Sequence, residues 1–193
     1  TSDASGASGA YVRSLRTVEP ISVAWFGTVG NNVADDRPAI QAAENYARPL
    51  RKKVWFPSPP VGYRVDAPLI MGTFSSWEGE TEQTYIYKHG NTTSGLPSRL
   101  IPAGGGASDT MDVDAVLVVD HADNAYASYV NIKNLYFRNE PSNSTTVAFN
   151  IFSPRINYFN FESVSCRGAA TACWRWFDAW QGQISRMFVA EGA

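Results

Sequence analysis

Two acids and two aromatic residues carry the chemistry this sequence could do. Glu162 lies in FNFESV and Asp178 in WRWFDAW. Glycoside hydrolysis needs two carboxyl groups facing one sugar bond, about 5 to 9.5 Å apart. If Phe159 and Phe161 point inward from a strand, Asn160 and Glu162 point outward. Aligned one turn earlier, Glu162 falls opposite Arg138, so a surface ion pair competes with catalysis for this carboxylate. Tyr158 and Trp180 fall near expected chain corners, where an exposed ring can stack on a saccharide. Core packing or a neighbouring subunit would use the same rings. Trp174 and Trp176 match apolar positions of the preceding turn and are expected in the core.

The remaining reactive residues form no familiar set. His89 and His121 stand apart from matched ligand spacings, and both read as surface or turn residues. Asp109, Asp112 and Asp114 offer oxygens to calcium, but they lack the glycine and closing glutamate of an EF-hand loop. A solvated turn after Gly104 to Gly106 is the reading we adopt. Cys166 and Cys173 fit no zinc or redox spacing and read as small buried residues, although seven residues of separation also permit a disulfide. No Ser-His-Asp set, P-loop or zinc motif is present. Neither a metal nor another cofactor is expected.

Composition narrows the partners. The chain has 193 residues and a net charge of −2, with no basic block. Nucleic-acid binding needs clustered Lys and Arg, so that class is excluded. The longest apolar runs are far too short to cross a bilayer. TSDASGASGAYV has no charged start followed by an apolar core, so it is not a signal peptide.

The elements that must position these residues are legible from pattern. Residues 1–20 read as a flexible leader, since the first ten are only Thr, Ser, Asp, Ala, and Gly. A glycine turn through Gly27 and Gly30 precedes Asp35 and Asp36, either of which can cap a helix over about residues 36–48. Pro38 is tolerated in its first turn, and Pro49 ends it. Ala39, Ile40, Ala43, Tyr46 and Ala47 form its apolar stripe. Strands follow at Val54, Trp55, Phe56 and from Tyr63 to Met71.

The second half repeats. Ile132, Leu135, Phe137 are followed by Ile156, Phe159, Phe161 and by Ile184, Met187, Val189, at offsets of 24 and 28 residues. The odd step of three fits a one-residue corner near Asn134, Tyr158 and Arg186. A second apolar series interleaves at 116–119, 147–151 and 172–176. Periods of 20 to 50 residues mark solenoids. The expected fold is an all-β solenoid, a single-stranded parallel β-helix over residues 21–193 with an N-terminal capping helix. Three turns are read, and no capping element follows the third. We expect the column to continue in a longer protein.

The segment from VAWFGTVGNNVADDRPAIQAAENYA through KVWFPSPPVGYRVDAPLIM to SSWEGE resembles the entry of the pectate-lyase-like right-handed parallel β-helix family. The resemblance is nearest to bacteriophage tailspikes and tail-fibre depolymerases. It implies a homotrimer in the extracellular virion tail, made in the host cytoplasm without a signal peptide. Its implied ligand is a bacterial capsular or lipopolysaccharide glycan, which it would bind and depolymerise. The N-terminus would join it to other tail or baseplate proteins. The alternatives are a monomeric polysaccharide lyase or glycoside hydrolase and a non-enzymatic trimeric rod. On any of them the active site can lie outside these residues.

Overall fold

The computed structural model describes residues 19–89, 100–102, 108–110, 115–120, 125–139, 149–169 and 172–190. Residues 1–18 of the expected leader, together with Asp112, Asp114, His121 and Val147, lie outside the described residues. A short strand, Ile21–Ser22, leads into a single 3-10 turn, Val23–Phe26, that Gly27 closes at φ 94°. Gly30 also has positive φ, and a β-carbon there would sit 2.6 Å from Pro59 Cβ. Both glycines are therefore needed for the turn.

The helix spans Arg37–Ala47, close to the expected 36–48, and a 3-10 turn containing Pro49 continues it over Arg48–Leu50. Ile40, Ala43 and Ala47 are fully buried and pack against the first strands, closing the N-terminal end of the core. Two details differ from the sequence reading. Tyr46 is at the edge of the stripe, exposed and against Phe26, while Glu44 enters the core in its place. The capping aspartates also divide their work. Asp35 Oδ1 accepts from the backbone N–H groups of Arg37 and Asp66, both at 3.1 Å. Asp36, the residue at the N-cap, turns away from the helix and accepts from Val29 and Gly30 N–H at 2.6 and 3.0 Å. It ties the glycine turn to the helix start.

Beyond the helix the chain winds as a right-handed parallel β-helix with three faces. The first face stacks Leu69–Met71, Ala115–Val119, the start of Phe149–Arg167, and Ala172–Trp180. The second stacks Ile21–Ser22, Val54–Phe56, Ser76–Gly79, the middle of Ala127–Asn139, the middle of Phe149–Arg167, and Gln183–Ser185. The third stacks Asn31–Asp35, Gly62–Val65, Tyr85–Lys88, the ends of the two long strands, and Phe188–Ala190. The column thus includes the strands of the entry segment as well as the three turns read from the repeat. A separate antiparallel pair joins Leu100–Pro102 to Ser108–Thr110, and the backbone of Asp109 belongs to it.

Long strands bend around the column through single residues of left-handed conformation. Asn134, Ser163 and Arg186 form one corner series, at φ 54°, 53° and 53°. Arg51, Phe74, Tyr129, Tyr158 and Gln181 form the other, at φ 47° to 65°. The three expected corner residues are all corners, but Tyr158 belongs to a different series from Asn134 and Arg186. The register shifts accordingly. Ile132 stacks on Phe161 and then Ile184, and Phe137 stacks on Cys166 and then Val189. The true offsets are 29 and 23 residues, and Ile156 pairs with Ala127 instead. Ile132, Phe137, Phe161 and Cys166 fill the core with Phe56, Leu69, Trp77, Ile86, Leu117 and Ile151, whereas Ile184 and Val189, in the last described turn, are exposed.

Two further expectations are corrected. Trp174 is buried against Phe159 and Phe161, but Trp176 pairs with Ser153, not with an apolar residue, and is 46% exposed. The cysteines are buried or half-buried as expected, yet they are bonded to each other, Cys166 to Cys173. Successive turns bring their α-carbons to 5.5 Å, within the normal span of a disulfide.

Candidate functional site

The outer surface of the first face, next to the aromatic corner, collects the polar and aromatic groups best placed to meet a ligand. Residues two apart on a strand share a face, and Asp178 and Trp180 do so on Ala172–Trp180. Trp180 is 60% exposed and donates its indole N–H to Asp178 Oδ1 at 2.5 Å. The other carboxylate oxygen accepts from the Tyr126 hydroxyl, 52 residues earlier in the chain. Arg155 stacks directly beneath Asp178 in the strand register. Its positive charge partly offsets the effect of Asp178, whose hydrogen bond holds the Tyr126 phenol above its ordinary range. The result is an indole fixed in orientation by a carboxylate, flanked by a phenol and an arginine.

Tyr158 is a corner residue, 45% exposed, and stacks on Tyr129 with ring centroids 5.0 Å apart. Tyr129 in turn stacks on Phe74 at 5.4 Å, and the Arg51 guanidinium lies over Phe74 at 4.1 Å. Four consecutive turns therefore contribute one corner residue each to a single stack. Trp180 lies beside this series, since its strand partner Asn157 immediately precedes Tyr158. Three of the four sequence candidates, Asp178, Trp180 and Tyr158, are thereby brought to one region.

Glu162 is not part of it. It lies on the second face, across the Tyr158 corner, and pairs in register with Lys133, not with Arg138. Lys133 Nζ is 3.2 Å from one carboxylate oxygen and Arg186 Nη2 is 2.5 Å from the other. These hydrogen bonds, Lys133 foremost, hold its pKa below the usual carboxylate value. Glu78 stacks against Lys133 from the turn before and is bridged by Lys53. Charges thus alternate along the column from Lys53 through Glu78, Lys133 and Glu162 to Arg186. His89 hydrogen-bonds Asn32 Oδ1 at 2.8 Å, and no acidic, cysteine or histidine cluster among the described residues could hold a metal ion.

Sequence reasoning missed Tyr126, Arg155 and the lower members of the stack. Tyr129 was within reach, because it stands one true offset before Tyr158. No local pattern signals the contact between Tyr126 and Asp178.

Comparison with known proteins places this geometry. No family model and no curated protein matches the chain. Among solved structures it is similar to the gp42 tailspike of Acinetobacter phage vb_AbaP_AS12, with a TM-score of 0.73 and 20% identity over 87% of this chain and 27% of that one. It is similar to ORF18 of Geobacillus virus E2, with a TM-score of 0.59 and 19% identity over 78% of this chain and 26% of that one. The A-module of the Azotobacter vinelandii mannuronan C-5 epimerase AlgE4 superposes with a TM-score of 0.59 and 19% identity, covering 88% and 50%. The chain spans about a quarter of the length of the two phage proteins. The fold is the pectate-lyase-like right-handed parallel β-helix, of the kind found in phage tailspikes.

Proposed function

We propose that this chain is the N-terminal part of a bacteriophage tailspike or tail-fibre protein that binds and depolymerises a bacterial surface polysaccharide. In this reading it works as a homotrimer in the virion tail, joined to other tail or baseplate proteins through its N-terminal leader. The observation that carries the reading is the Trp180 indole, exposed yet held by Asp178 beside Tyr126 and Arg155. A fixed aromatic face supplies an apolar platform for a sugar ring, and the neighbouring polar groups set its orientation. Such a site loses little rotamer entropy on binding, because the ring is already ordered. The resemblance to tailspikes supplies the choice of ligand.

Binding of capsular polysaccharides and lipopolysaccharides to the wild-type protein and to Trp180→Ala tests the reading. It stands if a glycan binds and the substitution weakens it. It falls if no surface glycan binds. For cleavage, Glu162 and Asp178 are the acids to replace, with polymer length as the readout. The rod alternative draws on the alternating ladder from Lys53 to Arg186, which commits Glu162 to neighbouring cations. Binding to cells with unchanged polymer length would favour the rod.

A further inference from the structure

The outer side of the third face carries a charge arrangement unlike that of the second. Arg138 stacks directly on Arg167 in the strand register, about 4.8 Å away by the spacing of neighbouring strands. We propose that this pair binds a tetrahedral oxyanion, phosphate or a phosphate ester, between the two guanidinium groups.

Three observations carry the proposal. Like charges directly opposite on neighbouring strands repel, and the second face avoids this by alternating Lys53, Glu78, Lys133, Glu162 and Arg186. The third face has no such relief around Arg138 and Arg167. Tyr85–Lys88, the third-face ends of the two long strands, and Phe188–Ala190 contain no acidic residue. Arg64, earlier in the same row, is held by Asp66. Neither Arg138 nor Arg167 has a carboxylate partner among the described residues, and Arg138 Nε has no hydrogen-bond acceptor.

The pair is also partly ordered before any ligand arrives. Tyr87 precedes Arg138 in register, and the guanidinium lies over its ring, 5.4 Å from the centre. Gly62 makes room for that ring, since a β-carbon there would sit 2.1 Å from Tyr87 Cε2. Finally, hydroxyl donors stand beside the charges. Tyr136 and Ser165, two residues before the arginines on the same outer face, are themselves paired in register. Arg167 is exposed and the other three are partly so, which leaves the group open to solvent. A phosphate dianion has oxygens for both forks and charge to balance both, whereas a carboxylate answers to one.

The site is independent of glycan binding at Trp180, and its test uses small anions. Inorganic phosphate, glucose 1-phosphate, acetate and glucose are titrated separately into the intact protein at low ionic strength and pH 8. Ligand-observed NMR follows each titration. Phosphate is expected to bind at least about 10-fold more tightly than acetate, as a second charge-assisted contact requires. Tighter binding of glucose 1-phosphate than of phosphate would support a sugar-borne ester as the ligand, and the reverse order would support the free anion. Arg138→Gln and Arg167→Gln should each weaken phosphate by about 10-fold, and Arg167→Lys by less, because the charge stays while the fork is lost. Trp180→Ala should leave phosphate binding unchanged. Circular dichroism identifies any variant that fails to fold, and the exposed Arg167 carries the test if Arg138→Gln does so. No binding of phosphate, equal binding of acetate, or unaltered phosphate affinity in Arg167→Gln would overturn the proposal.

Discussion

Trp180 donates its indole N–H to Asp178, two residues back on the same strand and on the same outer face. The bond orients the largest exposed aromatic surface of the proposed glycan site. Trp180→Ala is expected to reduce glycan affinity by about 10-fold, the scale of a lost stacking anchor. Because the ring is mostly exposed, the melting temperature should hardly move. Asp178→Asn keeps an acceptor for the indole and should weaken binding less. Calorimetric titration of both variants with the same polysaccharide checks the order.

Glu44 and Glu162 should leave opposite marks on the pH dependence of stability. Burial raises the Glu44 pKa, against the hydrogen bonds from Ser75 and Trp77. A carboxyl raised on folding contributes most below its unfolded value and loses that contribution as pH climbs through the folded one. Lys133 and Arg186 lower the Glu162 pKa. That contribution is complete above the ordinary value of 4.5 and disappears as pH falls through the lowered one. Glu44→Gln should therefore flatten any decline in the urea midpoint as pH climbs above the ordinary carboxylate value of 4.5. Glu162→Gln should flatten the decline on the acid side and leave the neutral-to-basic limb as in the wild type.

The Cys166–Cys173 bond closes a short loop between the third face of one turn and the first face of the next. Loop-closure entropy for so short a loop predicts a loss of about 2–3 kcal/mol when both residues become alanine. Denaturant unfolding with and without reductant measures the loss. Alkylation of the unreduced, unfolded protein should label neither cysteine.

Stacking of Tyr129 between Phe74 and Tyr158 predicts a coupled contribution to stability. A double-mutant cycle with Tyr129→Ala and Tyr158→Ala should return about 0.5–1.5 kcal/mol of coupling. Near-zero coupling would mean that the exposed rings are ordered independently.

The solenoid and its capping helix could be read from the sequence because both leave periodic traces. Corners at Asn134, Tyr158 and Arg186 were legible from the odd step of three between apolar residues. The register was not. Ile156, Phe159 and Phe161 mimic the pattern of Ile132, Leu135 and Phe137, while the true partners of Leu135 and Phe137 are Val164 and Cys166. A type-based alignment prefers the better mimic, whereas hydrogen bonding follows the corners. This slip placed Arg138 opposite Glu162, where Lys133 stands, and it hid the descent from Tyr158 to Tyr129. Glu44 was hidden for another reason. A carboxylate on the apolar side of a helix becomes intelligible only when Ser75 and Trp77 arrive together from the following turn to solvate it.

Corner-to-corner spacing has a consequence for how such a column can vary. From Tyr129 to Asn134, from Tyr158 to Ser163 and from Gln181 to Arg186 the interval is five residues each time, although whole turns differ by 29 and 23. Over these three turns the second face is thus cut to a fixed gauge, and their change of length is absorbed elsewhere in the circuit. One residue inserted within the gauge would turn Lys133 or Glu162 into the core and a core residue out to water. A whole peptide grafted between the third face and the next first face would leave the gauge untouched, so new surface chemistry can be added there without re-cutting the solenoid.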